Sequence, residues 1–321
     1  MAEPPIAVVD VGSNSVRLLL WDGSDVDGPP GVRTTIVTGL RRGAEADGTI
    51  SPDALERLDA CVARYGNMMR AAGVREGVAL GTSAVRDAPN SDAVARIIGA
   101  RLGLPLTVIS GTVEARLAYA GARLAVADVG PAIVLDVGGG STEVVRGNEW
   151  GPSGALSLQM GAVRSTEDYL VSDPPHPEEL ARLREDAEVA LAAAIRTVGG
   201  PAPMVGVSGT ASTLAAIDLG AYDPRRVHGH LLARSSIEGM LSWMSGLPIS
   251  ERERIPGLEP ARASVIVAGA SIVAAALAVT GLDALRVSER DLLDGAAIYA
   301  EALMGPVVEG VARVASRMDL P

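Results

Sequence analysis

The chain has no lysine, no phenylalanine and a single cysteine, Cys61, among its 321 residues. One cysteine excludes an internal disulfide and a cysteine-rich metal site. Aromatic side chains make up only 2%, so any core must be built from Leu, Val, Ile and Ala. All 28 cationic residues are arginine, which reads as a bias of the coding sequence and not as a functional signal. Long hydrophobic runs are also missing. The longest, SIVAAALAVT at residues 271–280, falls well short of the roughly 20 residues a membrane-spanning helix needs. The start, MAEPPIAVVD, has no basic stretch ahead of its apolar residues, so no signal peptide is expected and the cytoplasm is the expected compartment. Positive charge is in deficit, with a formal net charge of −11. That argues against general binding to nucleic-acid backbones; a polyanionic ligand would need a local basic groove.

What is present suits two domains of ordinary size, with 48% hydrophobic residues to fill two cores. Strand and helix signals alternate, the pattern of an α/β architecture. Strands are expected at 6–10, 16–21, 33–38, 78–82 and 104–109, and again at 132–137, 142–146, 155–159, 203–207 and 284–288. Between residues 52 and 72, Leu55, Leu58, Val62, Tyr65 and Met69 recur at helical spacing, with Cys61 on the same helix. A second helix, capped by Ser91 or Asp92, should stop before Pro105, and a third should occupy 177–198.

One internal repeat organises the chain. VVDVGSNS at 8–15 recurs as VLDVGGGS at 134–141, so Asp10 aligns with Asp136 and Ser15 with Ser141 at one offset, 126 (136 − 10 and 141 − 15). Each copy reads as strand, glycine turn, strand: a hairpin opening its own domain. Glycine lets the backbone approach an anion, while Ser hydroxyls and backbone N–H groups donate to its oxygens. A carboxylate closing the preceding strand is placed to hold a metal ion beside that anion. A glycine hairpin with a serine is common on its own; the duplication, with Asp kept in both copies, is what points to a cleft between two phosphate-shaped turns.

Three further segments join it. SGTAST at 208–213 leads into an apolar helix, and backbone N–H groups at a helix start favour anions, although Ser and Thr there also serve as ordinary caps. GTSAVRDA at 81–88 puts Arg86 just past a strand end, where a planar guanidinium suits phosphate; the alternative is a surface pair with Asp87. SGTVEARL at 110–117 puts Glu114 in the first turn of a helix, where a carboxylate is favoured by the helix dipole alone and could also deprotonate a water. His228 and His230, in VHGH, have no third histidine or cysteine nearby and read as structural or substrate-adjacent.

As a set and in this order, these segments resemble the exopolyphosphatase/guanosine-pentaphosphatase family. The resemblance rests on VVDVGSNSVRLLL, GTSAVRDAPNSD, ISGTVEARLAYAGA, VLDVGGGSTEVV, SLQMGAVRSTE, VGVSGTASTLAA, VHGHLL, IPGLEPARASVIVAGA and VSERDLLDGAA, spread over residues 6–296. It implies an actin-like ATPase fold, with two ribonuclease H-like domains around a cleft. The first would span residues 1–124 and the second 125–292, with a C-terminal helix at about 293–319 packing back on the first. It also implies Mg2+- or Mn2+-dependent hydrolysis of terminal phosphoanhydride bonds. Glu114 would be the general base. Asp136 and Glu143 would hold the metal, with Asp10 as a further candidate. Gly12, Ser13, Asn14, Ser15, Arg86, Gly138, Gly139, Gly140, Ser141, Gly209 and Thr210 would line the phosphate path. Inorganic polyphosphate is the implied substrate, guanosine pentaphosphate (pppGpp) the alternative, and a homodimer the implied assembly. An ATP-dependent kinase, with Asp10 as base, and a silent actin-like sensor are the remaining readings.

The chain departs from the family pattern at Thr112 and Val113, where relatives often carry acids; this leaves Glu114 as the carboxylate of its segment. Gln159, Ser165 and Ser264 stand where Pro, Leu and Asp are expected. Longer relatives add C-terminal helical domains, so from length alone shorter polyphosphates are the expected preference.

Overall fold

The computed structural model describes residues 4–22, 32–44, 47–123 and 130–300. The first half runs β1 (Ile6–Val11), β2 (Ser15–Trp21), β3 (Val32–Val37), α1 (Pro52–Ala71), β4 (Gly77–Gly81), α2 (Ser83–Asp87), α3 (Ser91–Leu102), β5 (Leu106–Val108) and α4 (Gly111–Arg123). The second runs β6 (Ala132–Val137), β7 (Thr142–Asn148), β8 (Gly151–Leu158), α5 (Ala162–Tyr169), α6 (Pro177–Thr197), β9 (Met204–Val207), α7 (Ser208–Leu219), α8 (Pro224–Val227), β10 (Leu231–Ala233), α9 (Arg234–Ser245), α10 (Ile249–Arg252), α11 (Ile266–Thr280), β11 (Ala284–Val287) and α12 (Leu292–Ile298). The expected C-terminal helix is seen as α12; from residue 301 on it lies outside the described residues.

Each expected strand is present, and three of them differ by two residues or more at one end. Pro105 cannot donate to a ladder, so β5 begins after it. The strand expected at 155–159 extends back to Gly151, because β7 and β8 close as a hairpin with Asn148 opposite Gly151. The two sheets share one plan. The first has the order β3-β2-β1-β4-β5 and the second β10-β11-β9-β6-β7-β8. In both, an antiparallel hairpin (β1–β2, β6–β7) is joined to a parallel strand across the crossover (β4, β9). The sequence repeat is therefore a repeat of topology.

Helix α1 covers one face of the first sheet. Leu58, Cys61, Val62, Tyr65 and Met69 are buried against Val9, Val11 and Leu18, as their spacing requires. The Tyr65 hydroxyl finds a partner by donating to the Val16 carbonyl at 2.8 Å. On the opposite face Val8, Leu19 and Leu80 meet Val113 and Leu117 of α4 and Leu292 and Ala296 of α12. The reverse side of α4, with Ala115, Tyr119 and Ala122, packs on Val134, Val145, Val205 and Val207 of the second sheet. Helix α4 thus belongs to both cores. Helices α6, α7, α9 and α11 fill the far side of the second sheet. Helix α11 is apolar all round and buried over Ile266–Leu277, and it contains the 271–280 run. Among the described residues no helix is long and apolar enough to cross a membrane.

Helices α4 and α12 cross backbone to backbone. A methyl group on Gly121 would fall on the Asp291 carbonyl, and one on Gly295 on the Leu117 carbonyl. Gly99, inside α3, has nothing within 4 Å of the same position. Gly99→Ala should therefore raise the melting temperature slightly, by about 0.5–1 kcal/mol of helix entropy. Gly121→Ala should lower it by several degrees, since overpacking costs about 1–3 kcal/mol or more. Differential scanning calorimetry of the two variants checks this; equal melting points would contradict the crossing.

Candidate active site

The two glycine turns superimpose in their bonding as well as in sequence. Gly12 N–H donates to the Ser15 carbonyl at 3.1 Å, and Gly138 N–H to the Ser141 carbonyl at 3.0 Å. Their tips touch across the cleft: a methyl on Gly139 would lie 2.9 Å from Ser13 Cβ and 3.0 Å from the Asn14 amide nitrogen. A cavity between the halves is lined by Asp10, the turns 12–15 and 138–141, Glu114, Asp136, and the start of α7 with Gly209 and Thr210. Ser13 Oγ, Asn14 Oδ1 and Asp10 Oδ1 are buried there without a hydrogen-bond partner. Buried polar atoms left unpaired call for a partner, which a water or a ligand in the cavity would supply.

The hairpins differ at one cross-strand position. In the first copy Asp10 pairs in register with Arg17, and in the second Asp136 pairs with Glu143. Arg17 donates from Nε and Nη2 to Asp10 Oδ2, both at 2.8 Å. Asp136 instead faces a second acid, with the two residues 5% and 1% exposed. Like charges directly opposite one another destabilise a sheet. Glu143 accepts from Ser157 Oγ at 2.7 Å and also from the Ser141 side chain, and Asp136 accepts from Ser208 Oγ at 2.8 Å.

Glu114 enters from the first turn of α4, with its own N–H donating to the Ser110 carbonyl at 2.9 Å. Its Oε2 accepts from Arg86 Nη1 at 3.0 Å. Burial pushes its carboxyl up to about 8; Arg86 opposes this, while Asp10 and Asp136 reinforce it. Burial likewise raises Asp136 to about 6, with Arg17 opposing and Asp291 reinforcing. Glu143 is raised well above the carboxylate range by burial, then by Glu114 and Asp136. Asp10 is raised by burial against the pull of Arg17. This is a set of acids short of positive charge, in the place where the repeat locates the cleft.

The acids fit a hard divalent cation. Among the described residues no three His, Cys, Asp or Glu side chains form a closed cage, but Mg2+ keeps several waters and typically uses one or two carboxylates together with phosphate oxygens. Asp136, on the cavity wall, supplies one such carboxylate, and Glu143, paired with it across the hairpin and buried behind it, is the candidate for the second.

Some expected residues stand elsewhere than anticipated. Arg86 has Nη1 on Glu114 and on the Ile109 carbonyl at 2.9 Å, leaving Nη2 buried without a partner. Glu143 lies behind the cavity wall, next to Asp136. The histidines are tied into the frame: His230 Nε2 lies 2.8 Å from Asp218 Oδ2, and His228 Nδ1 accepts from the Glu289 N–H at 3.1 Å. Arg17, Asp291 and Ser157 have no role in the sequence analysis, and Ser208 has none there beyond the turn and cap of its segment. Asp291 caps α12, accepting from Leu293 N–H at 2.9 Å, and it also binds Arg17. Burial alone would raise it, but Arg17 and Arg33 hold it below the usual carboxylate range. The signal available for Arg17 was the repeat itself, which aligns it with Glu143 at the same offset of 126 (143 − 17).

Two mixed sheets of one plan, apposed through glycine turns with acids behind them, define a two-domain α/β protein with an acidic cleft between its halves. Comparison with known proteins narrows the class. The chain belongs to the Ppx/GppA phosphatase family, whose profile matches residues 32–302. It is 34% identical to exopolyphosphatase 2 of Mycobacterium tuberculosis over 93% of this chain and 99% of the relative. The crystal structure of the Aquifex aeolicus Ppx/GppA family member matches with a TM-score of 0.76 and 31% identity, over 93% of this chain and 97% of that one. An exopolyphosphatase from Cytophaga hutchinsonii matches with a TM-score of 0.84 and 25% identity, over 92% and 97%.

Proposed function

We propose that the chain is an exopolyphosphatase, hydrolysing the terminal phosphoanhydride bond of inorganic polyphosphate. The observation that carries the reading is the contrast between the two hairpins: Asp10 has its own arginine, while Asp136 and Glu143 face each other beside the general-base candidate Glu114. Relatives named exopolyphosphatase, at similar length, support the substrate.

In this reading the turns 12–15 and 138–141 and the start of α7 donate hydrogen bonds to the terminal phosphoryl group and align it. Asp136, with Glu143 buried beside it, would hold Mg2+ or Mn2+, which when bound would offset charge on the phosphoryl oxygens. Glu114 accepts a proton from a water as its oxygen bonds to the terminal phosphorus. The bridging P–O bond breaks, releasing orthophosphate and a chain one unit shorter. Arg86 fixes the Glu114 carboxylate and favours its ionised form, the form that accepts a proton. Alignment and charge neutralisation supply most of the catalysis in such transfers.

The test is orthophosphate release, with Mg2+, from polyphosphates of several lengths and from pppGpp at equal concentrations of terminal phosphate. Faster release from polyphosphate is expected. Release from pppGpp alone would overturn the assignment.

A further inference from the structure

Among the described residues one non-glycine side chain, Ser208, sits at positive φ, +64°. It is the junction where β9 ends and α7 begins. The left-handed region costs an L-residue with a Cβ about 1–2 kcal/mol, and glycine takes it at no such cost. Glycine follows immediately at 209, so a Ser here calls for a reason in its hydroxyl.

The hydroxyl stands at a crossing of charges. Ser208 Oγ donates to Asp136 Oδ2 at 2.8 Å, and Asp291 Oδ2 lies 3.5 Å from the same oxygen. Asp291 Oδ2 is also bound by Arg17, which holds Asp10. One side chain therefore ties the acid of the second hairpin to a chain of pairs that reaches the acid of the first. Ser208 also lies on the wall shared by the acidic cavity and an adjoining one that contains Arg33 and Tyr222. Of the two Asp136 oxygens, the bond occupies Oδ2 and leaves Oδ1 free of it.

We propose that Ser208 is a positioning residue: its hydroxyl fixes the rotation of the Asp136 carboxylate so that a cation can be held, and the left-handed backbone is what aims the hydroxyl there. The inference rests on the cation role given to Asp136 above. Residues that orient metal ligands typically alter metal affinity 10–100-fold when removed.

Two substitutions separate backbone from hydroxyl. Ser208→Gly removes the hydroxyl and relieves the backbone; Ser208→Ala removes the hydroxyl and keeps the unfavourable φ. The Gly variant should melt a few degrees above the parent and the Ala variant below the Gly variant. Both should bind Mn2+ about tenfold more weakly, read by electron paramagnetic resonance titration without substrate. In turnover both should need more metal for half-maximal rate, with KM for polyphosphate little changed. A purely structural serine predicts that Ser208→Gly keeps parental Mn2+ affinity, and that result overturns the proposal. Asp136→Asn runs beside them. If it loses Mn2+ binding while Ser208→Gly keeps it, the serine role alone fails; if it keeps parental binding, the cation role of Asp136 fails and takes the serine role with it.

Discussion

Glu114→Gln should lower kcat for orthophosphate release by about 10²–10⁴-fold, the range a positioned general base contributes, while leaving the fold and the binding of substrate almost unchanged. The amide has nearly the same shape, and its oxygen can still accept from Arg86 Nη1, so α4 keeps its anchor. What is lost is the capacity to take a proton from water. Because burial holds this carboxyl up at about 8, its neutral form is no stranger to the site, and the substitution introduces no buried amide in place of a firmly ionised group. Stopped-assay kinetics with circular dichroism as a control would measure this. Parental kcat in a folded Glu114→Gln protein rules Glu114 out as the base.

The second large effect has opposite signs for activity and stability. Asp136→Asn should abolish metal-dependent turnover, with a fall in kcat/KM of about three orders of magnitude or more, if Asp136 is the carboxylate that holds the ion as proposed. The same change should make the metal-free protein more stable at neutral and alkaline pH. The sign follows from linkage. Asp136 titrates at about 6 in the fold, pushed up first by burial, against about 3.9 in an unfolded chain. A carboxyl raised in this way contributes stability that is complete below pH 4 and lost as pH rises through 6. Above that, its ionised form costs the fold on the order of 3 kcal/mol, and the amide removes that cost. Asn Oδ1 can still accept from Ser208 Oγ. Melting curves in chelator at pH 5 and pH 8 would show the variant gaining on the parent at both, by about twice as much at the higher pH. A variant less stable than the parent at pH 8 would mean that Asp136 is not a destabilising charge.

Much of the architecture was legible because it rests on local periodicity. Strands β1, β2 and β6 are rich in Val, Leu and Ile, the glycine-serine turns join β1 to β2 and β6 to β7, and the offset of 126 shows two equivalent hairpins in the sequence alone. Strand β10 escaped notice because Leu231–Ala233 is three residues on a sheet edge, too short for any period to show. Helix α2 is a single turn in a segment that reads as loop. At the site, Glu114, Asp136, Glu143 and the turns could be named from motif and repeat. Arg17–Asp291 could not, since residues far apart in sequence pair by tertiary placement alone. Arg86 was expected on the phosphate path because arginine suits phosphate, but beside it stands a buried glutamate that a guanidinium also suits. Ser208 was read as a possible cap; its φ is set by how β9 meets α7, and no residue spacing encodes that.

Helix α4 lends one flank to each sheet and carries Glu114 in its first turn. The place of that carboxylate is therefore set by both cores at once, and a packing change in either half would be felt at it.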